Sequence, residues 1–276
     1  METAVVLDGR EIAKKSLEAL RADIKRIGVS LKLATVRVGD AEDARLYSKA
    51  IDAFLAKVGV QHAKSEFPET IAEDKLIAEI KKLSADRSVN TIMLFSPLPK
   101  GLNARSVRQA VSVWKDIENW SSRLVRENGR LIAPPTAEAV MVLVKEACKD
   151  LEGKEAVVVG RSDTVGLPVS ILLIKERVTV AACNSKTPDL RSYVGRADIL
   201  VAAAGQPALI KGAWIKPGAV VIDVGEPVGD VEFEEAKKRA AFITPVPGGV
   251  GPLTNVMLVQ NVVDLYEIGK KSNGNP

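Results

Sequence analysis

Apolar and polar positions along the chain follow two different periods. In some stretches apolar residues recur every three or four positions, which is typical of helices that bury one face, and in others they form short uninterrupted runs, which is typical of buried strands. The first pattern predicts helices over residues 10–27, 41–58, 73–86, 103–112, 136–149, 167–175, 188–195, 231–239 and 253–270. The second predicts strands over residues 31–38, 61–66, 91–95, 156–160, 178–183, 198–202, 220–224 and 241–243. Because the two kinds of segment alternate along most of the chain, we expect an α/β protein with parallel sheets.

The alternation breaks between residues 113 and 135. Trp114, Trp120 and Gly129 lie there, and two consecutive prolines end the stretch, so it fits neither period. A chain of 276 residues with 46% hydrophobic content is large enough for two lobes. We predict that the chain crosses from one lobe to the other here, and that the two tryptophans pack the lobes rather than stack on a ligand.

Composition narrows the class of protein. Lys and Arg number 39 against 35 Asp and Glu, an excess too small and too evenly scattered to indicate a nucleic-acid-binding protein. The first residues do not form a charged-then-apolar leader, and no apolar stretch reaches 18 residues, so we expect a cytoplasmic protein that does not enter a membrane.

Cys148 and Cys183 belong to no CxxC or Cys/His cluster, which predicts a reducing compartment and no metal site. The single histidine, His62, follows a Val-Gly-Val turn, and we expect it to be exposed or to cap a turn rather than to act as a base.

Residues 156–168 carry the clearest chemical pattern. A run of three valines predicts a central parallel strand, and it is followed by Gly160, Gly166 and Pro168 at the start of a helix. Glycine lets the backbone turn tightly and approach a ligand, and the free N–H groups at a helix start attract anions. The segment therefore predicts a site for a dinucleotide phosphate. The spacing is not the usual GxGxxG, so an ordinary strand-to-helix turn accounts for it equally well.

Two later apolar strands also end in glycine, at Gly205 and Gly225. Glycines at the carboxyl ends of successive parallel strands indicate the edge where ligands bind. The strand that ends at residue 183 is followed by Asn184, Ser185 and Lys186 rather than by the acid that would hold a ribose 2′-hydroxyl. With Arg161 nearby, this favours NADP over NAD. The alternative is that these polar residues are solvated turn positions.

Longer motifs occur in a fixed order along the chain: Leu7-Asp8-Gly9, Ser96-Pro97-Leu98-Pro99, Gly160-Arg161-Ser162 through Val165-Gly166-Leu167-Pro168, Gly205-Gln206-Pro207, Trp214 to Gly218, Val221 to Gly225 and Thr244 to Pro252. In these motifs the chain resembles the bifunctional methylenetetrahydrofolate dehydrogenase/methenyltetrahydrofolate cyclohydrolases over nearly its whole length.

The resemblance implies a two-lobed fold: an N-terminal α/β folate-binding lobe (1–133 plus 252–276) and a Rossmann-like, doubly wound parallel-sheet NADP lobe (134–251). It also implies a folate-type small-molecule substrate and a homodimer formed through the NADP lobes. NADP is expected at Gly160, Arg161, Ser162, Val165, Gly166, Ser185, Gly205, Gly225, Gly251 and Thr254. Folate is expected at Tyr47, Phe95, Pro97, Glu118, Pro247, Gly248 and Gly249, with Tyr47 and Glu118 as the catalytic candidates.

One departure from the family concerns its Tyr-x-x-x-Lys motif, whose two side chains lie one helical turn apart. The tyrosine is Tyr47, but the lysine position is Ile51. Lys49 lies about 200° around the helix from Tyr47, at ~100° per residue, and should point away. Since isoleucine can neither polarise water nor hold a proton, we expect the cyclohydrolase step to be weak or lost.

Other departures also fall on folate-binding positions. The glutamine of the family's Gln-Leu-Pro-Leu-Pro segment is Phe95, and the Asp-Gly of Lys-Asp-Val-Asp-Gly is Glu118-Asn119. The loop from Gly225 to Gly229 is shorter than in relatives. The sequence thus leaves several hypotheses open: a monofunctional dehydrogenase, an NADP-dependent oxidoreductase of a different pterin-like substrate, or a non-catalytic nucleotide-binding relic with a scaffold or regulatory role. Full bifunctional activity by an altered route is a further alternative.

Overall fold

The structure is a computed structural model of the chain, and it describes residues 3–119 and 132–271. Trp120 and the last five residues lie outside the described residues. By its internal contacts the chain divides into two compact units, Met1–Leu17 with Pro134–Met257 and Glu18–Ala133 with Leu258–Pro276.

The described residues form nine strands and nine α-helices. The strands are β1 (Val5–Val6), β2 (Lys32–Val38), β3 (Gln61–Phe67), β4 (Thr91–Leu94), β5 (Glu155–Val159), β6 (Thr179–Cys183), β7 (Ile199–Ala202), β8 (Val220–Asp223) and β9 (Phe242–Ile243). The helices are α1 (Gly9–Ile27), α2 (Glu42–Val58), α3 (Glu73–Ala85), α4 (Ala104–Gln109), α5 (Pro135–Ala147), α6 (Gly166–Lys175), α7 (Leu190–Val194), α8 (Phe233–Lys237) and α9 (Val250–Lys271).

The first unit is built on a six-stranded parallel sheet with the order β1-β9-β8-β7-β5-β6. Val157 and Val159 of β5 pack in one core cluster with Val194 of α7 and Ala236 of α8. Successive strand residues point to opposite faces, so Val158 faces the other side, where α5 and α6 pack on the sheet. Helices therefore cover both faces, as in a doubly wound sheet, and the predicted α/β class with parallel sheets is confirmed.

The second unit contains a three-stranded parallel sheet with the order β3-β2-β4. Ala34 and Val36 of β2 form a buried cluster with Leu76 and Ile80 of α3 and with Val107 of α4. The pairing of Val36 with Leu94 aligns the carboxyl ends of β2 and β4. Phe95 and Pro97, two of the residues that the resemblance assigns to folate, follow β4 at this edge.

All eight predicted strands and all nine predicted helices are present in the described residues, with ends that differ by a few residues. Strand β1 was not predicted, because two residues are too few to show a period. Helix α9 starts at Val250 rather than at residue 253, so the glycine-rich segment before it leads directly into the helix. No helix within residues 3–119 and 132–271 combines the length and apolar character needed to cross a membrane.

The expectation that His62 is exposed is wrong. Its side chain is 4% exposed, with Nδ1 3.0 Å from Asp52 Oδ1 and Nε2 2.9 Å from Thr35 Oγ1. A histidine can be buried when both ring nitrogens have partners. Here the partners come from α2 and β2, whose closeness to β3 a linear pattern does not reveal.

Trp114 is 47% exposed, and its packing between the lobes stays a prediction. It lies in a short 3₁₀ turn whose buried residue is instead Lys115. Lys115 Nζ donates to the carbonyl oxygen of Asp86, 29 residues earlier in the chain, at 2.7 Å. Burial lowers the pKa of Lys115.

Candidate functional site

The turn after β5 leaves no room for any side chain at its two glycines. Gly160 has φ +103°, and an ideal Cβ there would lie 2.0 Å from the carbonyl oxygen of Ala203. A Cβ on Gly166 would lie 1.9 Å from the carbonyl oxygen of Gly160. Both distances are far inside van der Waals contact. The strand end, the turn and the helix start are therefore packed backbone against backbone, which is the role of glycines in dinucleotide-binding turns.

Helix α6 begins at this turn. Ser162 Oγ accepts a hydrogen bond from the N–H of Val165 at 3.2 Å, and the carbonyl oxygen of Ser162 accepts from the N–H of Leu167 at 3.1 Å. The ten-residue helix thus starts at the carboxyl edge of the sheet, with the positive end of its dipole directed there. This geometry suits a phosphate.

Arg161 and Ser185 lie at matching positions on neighbouring strand ends. Val159 of β5 pairs with Cys183 of β6, so each of the two residues follows its strand by two positions. Both side chains are exposed, and Lys186 beside them is exposed as well. No acid occupies residues 184–186. The edge can therefore present a guanidinium, a hydroxyl and an ammonium group to a second phosphate.

Two buried aspartates at this edge were missed by the sequence analysis. Asp223 ends β8 and Asp230 follows seven residues later, and both are almost completely buried. Their carboxylates accept backbone hydrogen bonds from the loops that contain Gly205 and Gly225. Burial raises the pKa of Asp223, and the nearby Asp230 adds to the shift. An acid at the end of an apolar strand was the one available signal.

Two motifs from opposite ends of the chain lie against each other. Gly9 N–H donates to the carbonyl oxygen of Gly248 at 2.9 Å, and a Cβ on Gly9 would lie 1.7 Å from the carbonyl oxygen of Gly249. Gly248 has φ +114°, a conformation that L-residues rarely adopt. Gly251 and Thr254 follow within the first turns of α9, where Thr254 Oγ1 donates to the carbonyl oxygen of Val250. The Pro247-to-Gly249 segment is thus fixed by the N-terminal segment.

In the second unit, Tyr47 and Phe95 form an aromatic pair. Their ring centroids lie 5.8 Å apart and their planes are inclined by 67°, an edge-to-face contact. Ile51, one turn after Tyr47 on α2, is 0% exposed, whereas Lys49 is exposed. Pro97 follows Phe95 in an exposed turn. The two positions where the family carries lysine and glutamine are therefore buried and apolar.

Glu118 lies beside the carboxyl end of β4. Asp116 bridges to Ile92 in the parallel sense, which brings residue 118 level with the end of that strand. Burial, together with the neighbouring Asp116, raises the pKa of Glu118 to about 8, while Arg108 opposes the shift. Asn119 has φ +45°, so it keeps the left-handed conformation that the family's glycine allows, which asparagine tolerates better than most residues.

The predicted site residues thus fall into two groups. Tyr47, Phe95, Pro97 and Glu118 belong to one compact unit, and the Pro247-to-Gly249 segment belongs to the other, together with the predicted cofactor residues. Their union in one site stays a prediction. Within the described part of the chain, no three or more His, Cys, Asp and Glu side chains form a group that could hold a metal ion.

Comparison with known proteins identifies the family. Residues 7–118 match the model of the tetrahydrofolate dehydrogenase/cyclohydrolase catalytic domain, and residues 134–270 match the model of the NAD(P)-binding domain of the same family. The chain belongs to the tetrahydrofolate dehydrogenase/cyclohydrolase family. The resemblance that the motifs indicated is thereby confirmed.

Relatives within the family match the chain along its whole length. The Bifunctional protein FolD of Geotalea daltonii is 42% identical, over 95% of this chain and 98% of the relative. The crystal structure of the Trypanosoma brucei methylenetetrahydrofolate dehydrogenase-cyclohydrolase, complexed with NADP cofactor and inhibitor, is 36% identical, with a TM-score of 0.91 over 98% of this chain and 100% of that one. The structure of a methylenetetrahydrofolate dehydrogenase from the silkworm Bombyx mori is 33% identical, with a TM-score of 0.88 over 96% and 98%.

Proposed function

We propose that the protein is an NADP-dependent methylenetetrahydrofolate dehydrogenase whose cyclohydrolase step is weak or lost. The observation that carries the second part is the pair of apolar residues at the proton-handling positions. Ile51 is completely buried and Phe95 packs edge-to-face on Tyr47. The turn around Gly160 and Gly166, in contrast, keeps the tight backbone geometry of a phosphate site.

The dehydrogenase step requires little proton transfer by the protein. A hydride leaves the methylene carbon that bridges N5 and N10 of tetrahydrofolate, and the resulting methenyl cation is an amidinium stabilised by its own two nitrogens. Bound NADP supplies the hydride acceptor at C4 of its nicotinamide. The protein must chiefly align the two reactants. Loss of the family's lysine and of the glutamine that partners it is compatible with this step.

Cofactor binding is assigned to the carboxyl edge of the six-stranded sheet. The start of α6 and the N–H groups near Ser162 would bind the pyrophosphate. Arg161 and Ser185, at matching positions after β5 and β6, would bind the 2′-phosphate. The relative from Trypanosoma brucei was solved with NADP, which supports the choice of NADP over NAD.

Folate binding is assigned to Tyr47, Phe95, Pro97 and Glu118 on one unit and to the Pro247-to-Gly249 segment on the other. The Glu118 carboxyl group would accept hydrogen bonds from the amino group and ring N–H of the pterin. In this proposal the unit with the three-stranded sheet is the folate lobe and the unit with the six-stranded sheet is the NADP lobe.

The hydrolytic step has different requirements. Water must attack the methenyl carbon and give up a proton, so a nearby group has to polarise the water or accept the proton. Ile51 and Phe95 can do neither. Tyr47 alone remains of the three family positions.

A homodimer formed through the NADP lobes and a cytoplasmic location complete the proposal. The six-stranded sheet ends at β6, a five-residue edge strand that pairs only with β5 among the described residues. Sedimentation velocity checks the dimer: the expected mass is twice 29.6 kDa, and a monomer at assay concentration would contradict it.

A different pterin-like substrate is the second candidate. It is favoured by the raised pKa of Glu118, since a largely protonated carboxyl group at neutral pH is a weaker acceptor for the pterin of folate than the family's aspartate.

The test is to mix enzyme, NADP and methylenetetrahydrofolate and follow NADPH and the methenyl chromophore together. We expect both to rise in equal amounts and the chromophore to persist. Cofactor binding without NADPH formation would favour the different substrate or the non-catalytic relic.

A further inference from the structure

A buried carboxylate holds the turn after β7. Asp230 is 0% exposed, and its Oδ2 accepts hydrogen bonds from the N–H of Ala204 at 2.6 Å and of Gly205 at 3.0 Å. Its Oδ1 accepts from the N–H of Gln206 at 2.7 Å. Three successive backbone groups therefore converge on one side chain. Asp230 therefore holds the backbone of residues 204–206 where the strand has ended.

A second buried carboxylate holds the loop after β8. Asp223 Oδ1 accepts from the N–H of Gly225 at 2.9 Å and of Asp230 at 3.0 Å, and its Oδ2 accepts from the N–H of Val231 at 2.9 Å. A Cβ on Gly229 would lie 2.5 Å from Asp223 Oδ2, so the loop closes tightly around the carboxylate. Asp223 also fixes the backbone of Asp230, and through Asp230 it fixes the turn after β7.

A third link extends from Asp223 to the segment after β9. Thr244 Oγ1 accepts from the N–H of Asp223 at 2.8 Å. A Cβ on Gly249 would lie 2.7 Å from Thr244 Cβ, so the glycine-rich segment packs directly on this threonine. The three loops that end β7, β8 and β9 are therefore joined by Asp230, Asp223 and Thr244.

Two buried carboxylates are an energetically unfavourable way to stabilise a fold. Burying a carboxylate costs free energy that hydrogen bonds only partly offset, and well-packed apolar replacements of buried charges are often at least as stable. Six backbone N–H groups aimed at two carboxylates instead fix the direction of each loop. The arrangement therefore specifies geometry at the carboxyl edge, where ligands bind in such sheets.

We propose that Asp230 is a positioning residue for NADP: through Asp223 and Thr244 it holds the Gly205 turn and the Gly225 loop in the conformation that the cofactor requires. The assignment rests on the proposed function, because both loops are expected cofactor contacts. Asp230 itself is buried beneath the loops and acts through their backbone. Its removal should weaken cofactor binding more than it lowers stability.

The test compares Asp230→Asn with Asp198→Asn. Asp198 lies just before the amino end of β7, accepts a backbone hydrogen bond from the N–H of Glu155 at 3.0 Å and pairs with Lys216 at 2.6 Å, so it is the same chemical change at the opposite edge of the sheet. We expect the NADPH dissociation constant, measured by fluorescence titration, to rise at least tenfold in Asp230→Asn and less than twofold in Asp198→Asn. The KM for NADP should rise more than kcat falls. Unchanged NADPH affinity in a folded Asp230→Asn protein, or equal losses in both variants, would overturn the proposal.

Thr244→Val covers the case in which Asp230→Asn does not fold. The change is close to isosteric, and it replaces with a methyl group the hydroxyl that accepts a hydrogen bond from the N–H of Asp223. We expect a several-fold rise in the NADPH dissociation constant, and a wild-type value would overturn the proposed link.

Wild-type protein that binds no NADPH at all would contradict the proposed function, and with it the role of Asp230, before any variant is compared.

Discussion

Substitution of Gly160 by alanine perturbs the phosphate turn at its tightest point. The new methyl carbon would start 2.0 Å from the carbonyl oxygen of Ala203, whereas a C···O contact needs roughly 3.3 Å. The ends of β5 and β7 would therefore have to separate by more than about 1 Å. The backbone at φ +103° adds its own penalty, because L-residues avoid that region.

The expected loss can be worked from these two terms. Overpacking of a well-packed site costs about 1–3 kcal/mol, and a strained backbone conformation costs a further ~1–3 kcal/mol. The sum of about 2–6 kcal/mol is a large part of the 5–15 kcal/mol that typically holds a domain together. We therefore expect Gly160→Ala to lower the urea midpoint strongly and to abolish measurable NADPH binding.

Gly153→Ala is the matched control. Gly153 lies before the amino end of the same strand with φ +76°, and a Cβ there would meet nothing within 4 Å. Its cost should be limited to the left-handed backbone, about 1–2 kcal/mol, with NADPH affinity unchanged. Equilibrium unfolding in urea measures both variants. Equal midpoints for the two variants, or normal NADPH binding by Gly160→Ala, would refute the close packing described for the turn.

Three further predictions concern single sites. Arg161→Ala should weaken NADP binding by about tenfold, as expected for loss of one charge-assisted contact, and leave NAD binding unchanged; an unaltered NADP/NAD preference in steady-state kinetics would show that Arg161 does not bind the 2′-phosphate. Because the pKa of Glu118 is raised to about 8, the fold favours its protonated form, so wild-type stability should fall relative to Glu118→Gln as pH rises from about 4.5 and level off above about 8; a constant difference in urea midpoint across that range would contradict the burial of this carboxyl. Ile51→Lys combined with Phe95→Gln should restore methenyltetrahydrofolate hydrolysis, whereas Ile51→Lys alone should mainly destabilise the protein, since an ammonium group would enter a fully buried position. Hydrolysis that stays at the uncatalysed rate in a folded double variant would mean that other residues block the step.

Sequence patterns predicted the elements well where they were long and strongly apolar. The valine run of β5 and the helix that follows it were placed almost to the residue, because burial on both faces and a glycine turn leave few alternatives. Strand β1 was missed, since Val5 and Val6 pair with β9 only through the tertiary fold. Partial exposure of both valines gives no further signal.

Polar groups whose partners are distant in sequence were the least predictable. The burial of His62 depends on Asp52 and Thr35, which come from two other elements. Asp230 accepts a hydrogen bond from the N–H of Ala204, 26 residues earlier, and Asp223 accepts one from the N–H of Asp230. Single acids in apolar surroundings can be flagged in a sequence, but their partners become visible only when the strands are aligned.

The site was predicted in parts rather than as a whole. The glycines at residues 160, 166 and 248 were singled out from their motifs, and the structure supplies the physical reason, since each of them meets neighbouring atoms closely. The replacement of the family's lysine by Ile51 was also evident from the sequence. Its complete burial, and the contact between Tyr47 and Phe95, required the packing of α2 on the sheet.

We propose that the enzyme keeps the oxidative step and that its hydrolytic step is weak or lost, and a direct assay of hydrolysis tests this most sharply. Methenyltetrahydrofolate is supplied to the enzyme without NADP, and its decay is compared with the uncatalysed decay in a buffer of low intrinsic reactivity. The same preparation is assayed for NADPH formation from methylenetetrahydrofolate. We predict rapid NADPH formation and a methenyl decay that the enzyme does not accelerate. Enzymatic hydrolysis at a rate comparable with the dehydrogenase step would show that the hydrolytic step is retained.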